Sequence, residues 1–152
     1  MRRFHSLQIT ALALVTVGLV SCGGSQKAAD TAQAERSLYE RLGGVEAITA
    51  VIDDFVANVA ADTRINARFA KTNIPHLKQM LVDQVCQATG GPCTYTGRSM
   101  GDAHKGMHIT EVEFNALVED LTRSLDKFKV GEKEKTDLLG ALGGMKGEIV
   151  GA

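Results

Sequence analysis

Residues 37–63 read SLYERLGGVEAITAVIDDFVANVAADT and contain a regular apolar pattern. After the glycine pair, apolar residues recur three and four positions apart, at Ile48, Val51, Ile52, Phe55, Val56 and Val59. This spacing places them on one side of an α-helix that stops near Asp62-Thr63. Ser37 can cap a shorter helix over residues 38–42, and Gly43-Gly44 ends that helix because glycine adopts backbone angles that side chains resist.

Helical spacing continues through the rest of the chain, and no four-residue stretch alternates clearly enough to predict a strand. Asn73 and Pro75 begin a second long helix, which reaches about Ala88 and is stopped by Gly90-Gly91-Pro92. A short segment over residues 99–105 follows it. The pattern therefore predicts a single all-α domain.

The predicted domain spans residues 37–152, and two further helices complete it. Thr110 and Glu113 fit a capping box at the start of the first. Its expected core residues are Phe114, Leu117, Val118, Leu121, Leu125 and Phe128. The last helix is expected over residues 133–150, and its expected buried residues are Leu138, Leu139, Leu142, Met145 and Ile149. Three glycines weaken it, because glycine is a poor helix former.

The beginning of the chain predicts export. An arginine pair precedes a charge-free run, Ile9 to Val20, which is too short for a lasting membrane span and typical of a signal segment. The run ends at Leu19-Val20-Ser21-Cys22-Gly23, which resembles the lipobox of bacterial lipoproteins. The resemblance implies that residues 1–21 are a signal peptide and that Cys22 becomes the lipidated first residue. The alternative is an ordinary cleaved signal with an incidental cysteine.

Residues 22–36 combine Gly, Ser, Ala, Gln and charged residues without an apolar period, so they predict a flexible tether. A lipidated end anchors a protein to a membrane without spanning it. Gly23 replaces the aspartate that often retains lipoproteins in the inner membrane, so the resemblance implies the outer membrane, facing the periplasm. The mature chain has 15 basic and 18 acidic residues and no basic run, which argues against a nucleic-acid partner.

Two cysteines remain once Cys22 is assigned to lipid. Cys86 and Cys93 flank the Gly90-Gly91-Pro92 break, and an exported protein meets an oxidising compartment. We expect a disulfide between them. Two free thiols that act as small apolar residues are the alternative.

The mature chain has three histidines, His76, His104 and His108, and no HExxH, P-loop, nucleophile-elbow or CxxCH motif. Zinc-protease, nucleotide, serine-hydrolase and covalent c-type haem chemistry therefore have no candidate residues. A histidine in a short helix before a capped long helix favours a cofactor pocket between helices.

A series of segments supports this interpretation. In chain order they are Tyr39-Glu40-Arg41-Leu42-Gly43-Gly44, Asp54-Phe55, Phe69, Gly90-Gly91-Pro92, Tyr95-Thr96-Gly97-Arg98, Met100 and Ala103-His104. Each motif is weak alone, but their order and spacing from residue 37 to about 150 resemble the truncated haemoglobins, most closely the first group. The resemblance implies a truncated globin fold, a two-over-two helical sandwich around haem b.

By the same resemblance His104 is the proximal iron ligand, and its other ring nitrogen donates to a backbone carbonyl or carboxylate. Phe69 matches the aromatic residue that packs on the haem face, and Phe55 and Met100 belong to the cofactor pocket. His108 lies four residues after His104, but the cap at Thr110 predicts a break between them. His108 is therefore expected at the haem edge or facing solvent.

The distal side of the pocket departs from the family pattern. Many relatives have a tyrosine where this chain has Val56, and positions that usually offer glutamine align with Leu77 and Leu81. None of these three side chains can donate a hydrogen bond to a gas ligand. Strong oxygen storage is therefore not expected unless Gln84 or water supplies a donor.

Met80 falls on the same side of the predicted helix as Leu77, Leu81 and Gln84. Its thioether is a competent iron ligand, so it is a candidate for the haem edge or for the iron itself. The alternative is a flexible core residue. His76 is the weaker candidate for a sixth ligand, because it lies about a right angle away from that side.

These features predict a haem-binding lipoprotein that binds oxygen or another diatomic ligand. Nitric oxide dioxygenase-like or peroxidase-like chemistry stays open as a side activity, with no electron donor identified. Three alternatives remain: a periplasmic electron-transfer protein, a haem carrier and a haem-free docking lipoprotein. A fold alone does not decide among them.

Overall fold

The computed structural model describes residues 36–152. The predicted signal segment, Cys22 and the tether up to residue 35 lie outside the described residues. The helices of the described part are α1 (Leu38–Arg41), α2 (Gly44–Ala61), α3 (Ile74–Ala88), α4 (Met100–His104), α5 (Glu111–Lys127) and α6 (Glu132–Gly143). Two 3-10 turns accompany them, Asn66–Phe69 and Lys146–Glu148.

The all-α prediction is confirmed for this part of the chain. β pairing among residues 36–152 is limited to one isolated parallel bridge between Ile109 and Val150. None of the described helices has the length and apolar character needed to cross a membrane.

Helix α2 lies at the centre of the fold and packs against both α3 and α5. Its predicted apolar stripe is buried along the whole length of the helix. The turn before it depends on glycine, because Gly43 and Gly44 have φ values of 96° and 78°. This turn places the short helix α1 against α2 and α6.

The predicted caps fix where the helices begin. Ser37 Oγ accepts a hydrogen bond from Glu40 N–H at 3.2 Å, and Asn73 Oδ1 accepts one from His76 N–H at 3.1 Å. At the start of α5, the Thr110 N–H donates to Glu113 Oε2 at 2.9 Å, and the Glu113 N–H donates to Thr110 Oγ1 at 3.2 Å. The capping box predicted there is therefore present.

Two predictions about the C-terminal half are wrong. Phe128 is 44% exposed, because α5 ends at Lys127 and the helical spacing stops before Phe128. Lys129 adopts φ 55°, and it is Val130 that packs against the core. The last helix ends at Gly143 instead of continuing to residue 150. Its glycines favour the end, and the remaining residues form a 3-10 turn that leads to the bridge with Ile109.

A polar contact between α2 and α5 was not predicted. Ser124 has no exposed surface, and its hydroxyl donates to Asp54 Oδ2 at 2.9 Å. Asn58 Nδ2 donates to Ser124 Oγ at 2.9 Å, and Lys127 forms an ion pair with Asp54. These contacts lie among the apolar residues that join the two helices, and they satisfy polar groups that burial would otherwise penalise.

Candidate functional site

A cavity of about 440 Å³ lies between the helices. Its walls come from α2, α3, α4, α5 and α6, together with the Asn66–Phe69 turn and the segment after α6. The lining is almost entirely apolar, with few polar side chains. This size and lining are typical of a pocket for a small organic cofactor.

His104 lines this cavity at the end of α4. Ser99 caps that short helix by accepting a hydrogen bond from the Asp102 N–H at 3.1 Å. The ring of half-buried His104 has its Nδ1 atom 2.9 Å from the carbonyl oxygen of Met100. A carbonyl can only accept, so Nδ1 donates the proton in this contact, and in the neutral ring Nε2 then has a free lone pair.

Eight of the nine predicted pocket residues line this cavity, and they are Phe55, Val56, Phe69, Leu77, Met80, Leu81, Met100 and His104. Phe55 and Val56 are buried on α2, and Phe69 is half-buried in the 3-10 turn. The other members come from α3 and α4, so residues far apart in the sequence meet at one site.

The structure does not bring His108 to the cavity. Gly106 has φ 75° and His108 itself has φ 48°, so the chain leaves the helical path directly after α4. The His108 N–H donates to the Ala152 carbonyl at 2.8 Å, and the residue is exposed. His108 therefore faces solvent, which is one of the two positions expected for it. His76, on the first turn of α3, is exposed and also lies outside the cavity lining.

Helix α3 provides a wall without a free hydrogen-bond donor. Leu77, Met80 and Leu81 are half-buried and line the cavity. Gln84 follows one turn later, but its Nε2 atom lies 3.5 Å from both Met100 Sδ and Met145 Sδ. The sequence analysis kept the Gln84 amide as a possible hydrogen-bond donor to a ligand. In the structure this amide is directed at the two sulfur atoms.

Two more methionines line the cavity, Met107 and Met145. The sequence analysis did not single out Met107, and it expected Met145 only as a buried residue of the last helix. With Met80 and Met100 they account for every methionine after Met1, and all four line the cavity. Thioether side chains fill irregular apolar space, so a preference for methionine around a cofactor was a signal that the sequence offered.

Arg68 and Arg98 are the two cations of the cavity wall. The Arg68 guanidinium already has partners within the protein. Its Nε donates to Glu113 Oε1 at 2.8 Å, and its Nη1 donates to the Met107 carbonyl at 2.9 Å. The hydrogen bonds that Thr110 donates to the Glu113 carboxylate, together with Arg68, hold the pKa of Glu113 below its usual range. Arg98 donates to the Asp102 carbonyl at 3.4 Å and remains exposed.

The loop from α3 to α4 is fixed at several points. Cys86 and Cys93 are joined by a disulfide, with Cα atoms 5.7 Å apart. The Tyr95 N–H donates to Gln87 Oε1 at 2.7 Å, and the Tyr95 hydroxyl donates to the Arg98 carbonyl at 2.8 Å. These contacts position α4 and hence His104.

Residues 37–150 match the family model of the bacterial-like globins. The chain is 33% identical to a group 1 truncated haemoglobin of Tetrahymena pyriformis, with 69% of this chain and 96% of that protein covered. It is 34% identical to a group 1 truncated haemoglobin of Mycolicibacterium paratuberculosis, with 74% of this chain and 83% of that protein covered.

A solved structure shows the same similarity in three dimensions. The Fe(III) form of the truncated haemoglobin from Tetrahymena pyriformis superposes with a TM-score of 0.75 at 29% sequence identity. The match covers 77% of this chain and 100% of that structure. The described helices therefore have the arrangement of a two-over-two globin.

Proposed function

This chain belongs to the bacterial-like globin family, among the truncated haemoglobins, and on that premise we propose that it holds haem b through His104. Bound there, haem would supply an iron centre able to take up a diatomic gas, such as oxygen, carbon monoxide or nitric oxide. The cofactor supplies the metal centre, and the chain supplies the ligand, the apolar surroundings and the orientation.

The contact between His104 Nδ1 and the Met100 carbonyl is the observation on which this proposal rests. Histidines that bind metals through one ring nitrogen almost always donate the other N–H to a carbonyl, carboxylate or water. In the neutral ring, this bond selects the tautomer whose Nε2 is able to bind iron. It also restricts rotation of the ring at the cavity wall.

The surroundings of His104 fit the rest of a haem. The macrocycle is apolar, and the cavity is lined by apolar side chains from five helices. The two carboxylates of haem need polar or cationic partners, and Arg98 is the exposed cation at the cavity wall. Arg68 is less suitable, because it already pairs with Glu113.

A second function, electron transfer, is favoured by the walls that α2 and α3 contribute. Val56, Leu77 and Leu81 offer no hydrogen bond, and the Gln84 amide faces two sulfurs. Bound oxygen gains partial negative charge and is stabilised by donors, so this pocket favours less polar ligands or no exchangeable ligand. Oxygen storage is accordingly the least suitable of the gas-binding functions.

We also propose that the domain works outside the cytoplasm, held by lipid on Cys22 at the outer membrane and facing the periplasm. Support comes from the sequence, where an arginine pair and an apolar run end at a cysteine next to small residues. The lipid restricts the domain to the membrane surface without embedding it.

The test of the haem ligand replaces each histidine in turn. His104→Ala should abolish stable haem binding, because no cavity-lining histidine remains among the described residues. Haem that binds only the folded chain raises stability by mass action, so the variant should also lose the haem-dependent rise in melting temperature. Absorption spectra and thermal unfolding with and without added haemin measure both effects.

His76→Ala and His108→Ala are the matched controls, since both residues are exposed and lie outside the cavity lining. Both variants should keep the wild-type spectrum and melting shift. A normal spectrum for His104→Ala, or loss of haem from His108→Ala alone, would assign the iron to another residue.

A further inference from the structure

A second, smaller pocket lies beside the main cavity. It has a volume of about 280 Å³ and is formed by the end of α3, the loop before α4 and the C-terminal 3-10 turn. Its lining includes Gln87, Ser99 and Glu148, which are exposed residues. Small polar solutes can therefore enter this pocket from the solvent.

Two methionines separate this pocket from the cavity. Met100 and Met145 line both spaces, and both residues are half-buried. Met80 and Met107 line the cavity and do not line the second pocket. A solute in the second pocket thus reaches the first pair of side chains without passing through the cavity.

The Gln84 side chain joins the members of this pair. Its Nε2 atom lies 3.5 Å from Met100 Sδ and 3.5 Å from Met145 Sδ. An amide nitrogen has two N–H donors, and a thioether sulfur is only a weak acceptor for them. An oxygen atom added to either sulfur would be a much stronger acceptor for the same donors.

We propose that Met100 and Met145 are sites of oxidation by hydrogen peroxide, and that Gln84 stabilises the oxidised form. A sulfur lone pair attacks one peroxide oxygen, and the O–O bond breaks. The departing hydroxide takes the proton of the transferred oxygen and forms water. The sulfur is oxidised to a sulfoxide, and the peroxide is reduced. The Gln84 amide then donates to the sulfoxide oxygen.

Oxidation changes the cavity because the same two side chains form part of its apolar wall. A sulfoxide is polar and disrupts the packing that a thioether provides. Met100 is the first residue of α4, and its carbonyl accepts the hydrogen bond from His104 Nδ1. We therefore expect oxidation to weaken haem binding. This consequence rests on the proposed haem function, whereas the reaction at sulfur does not.

The test treats the full chain with hydrogen peroxide and follows each methionine by peptide mass spectrometry. Bound haem is kept in its ferrous carbon monoxide form, so that peroxide does not react at the iron. Met100 and Met145 should gain oxygen several-fold faster than Met80 and Met107. In the urea-unfolded chain all four should react at similar rates, because the selectivity depends on the fold. Similar rates in the folded chain, or faster oxidation of Met80 and Met107, would overturn the proposal.

The role of Gln84 is tested by Gln84→Leu, which removes the amide and keeps a side chain of similar size. Oxidation of Met100 and Met145 should become slower, because a donor beside the sulfur stabilises the oxygen that is being transferred. Gln79→Leu is the matched control, since Gln79 is exposed on the same helix and lines neither pocket. Equal rates in these two variants would reject Gln84 as the stabilising residue.

Haem transfer to an excess of a haem-free acceptor globin measures the consequence for binding. Peroxide treatment should speed haem loss from wild type and from the double variant Met80→Leu/Met107→Leu. It should not do so for Met100→Leu/Met145→Leu, in which leucine conserves volume and apolar character. If both double variants respond equally, the link between this pair and haem binding is wrong.

The same data separate this proposal from the proposed function. Selective oxidation of Met100 and Met145 in a chain that binds no haem would reject the haem function and support the oxidation site. Stoichiometric haem together with unselective oxidation would reject the oxidation site and leave His104 ligation standing.

Discussion

Asp120 has a carboxyl group with no exposed surface, and it lies on α5 one turn before Ser124. Its Oδ1 pairs with Arg123 Nη1 at 2.9 Å, while Oδ2 has no partner in the described part of the chain. Burial raises the pKa of Asp120, and the nearby Asp62 raises it further. Asp54 shows the opposite behaviour, since hydrogen bonds from Lys127 and Ser124 lower its pKa.

These two residues predict opposite dependence of stability on pH. A carboxyl group with a raised pKa retains protons in the folded state, so its contribution to the free energy of unfolding declines as pH rises through its folded pKa. A lowered pKa gives a contribution that is present above the unfolded pKa and lost as pH falls. As pH rises from acid to neutral, the stability of Asp120→Asn should therefore increase relative to wild type. The stability of Asp54→Asn should decrease relative to wild type over the same range.

Urea unfolding midpoints at a series of pH values, with equal haem content in all proteins, measure this difference. What is compared is how the difference in stability between each variant and wild type changes with pH. A loss of stability that is the same at every pH does not affect this comparison. Differences from wild type that do not change with pH, or that change in the same direction for both variants, would contradict the assignment.

At the scale of elements, the loop between α3 and α4 determines where the short helix carrying His104 begins. The disulfide bridge between Cys86 and Cys93 closes this loop. Gly91 lies against the bridge, and a Cβ atom at this residue would come within 2.7 Å of Cys86 Sγ and 2.5 Å of Tyr39 Cδ2. The loop is therefore packed tightly against the end of α3 and against α1. A change in the bridge should reach His104 through this loop.

Cys93→Ser should destabilise the protein and speed haem loss. The loop closed by the bridge spans a sequence separation of 7, so the loss of stability should not exceed the roughly 3 kcal/mol of a fifteen-residue loop. Denaturant unfolding and the rate of haem transfer to an excess of a haem-free acceptor globin measure the two effects. Thr94→Ala, an exposed change in the same loop, should alter neither.

Thiol labelling provides a direct check of the bridge in the exported protein. A Cys22→Ala chain, isolated without reductant and then unfolded, should show no reactive thiol, because only the two loop cysteines remain. Two reactive thiols would show that the bridge does not form. Unchanged haem loss from Cys93→Ser would show that the remaining contacts of Tyr95 hold the loop.

At the scale of the whole molecule, the position of the domain depends on its N-terminal end. We expect Cys22→Ala to release the protein from the membrane fraction or to leave it unprocessed, because the proposed lipid is attached to that cysteine. Ser21→Ala keeps a small residue before the cysteine and should remain anchored. Intact mass spectrometry of membrane-extracted protein decides the matter, since an unmodified Cys22 rules out the lipoprotein.

Local sequence patterns were sufficient to locate most of the helices and their apolar sides. Ser37, Asn73 and Thr110 cap the helices they were predicted to cap, and the apolar stripe of α2 is buried as expected. Caps, glycine turns and periodicity act within a few neighbouring residues, so they can be recognised without knowledge of the rest of the fold. The succession of motifs was also enough to indicate the globin family.

Which of these sides meet, and what the polar groups between them contact, became clear from the three-dimensional arrangement of the helices. It separated His108 from His104, turned the Gln84 amide toward two methionine sulfurs, exposed Phe128 and buried Asp120. It also supplied the carbonyl of Met100 as the acceptor that fixes the His104 ring. These outcomes depend on contacts between distant segments and on backbone turns at single residues, and neither leaves a periodic pattern in the sequence.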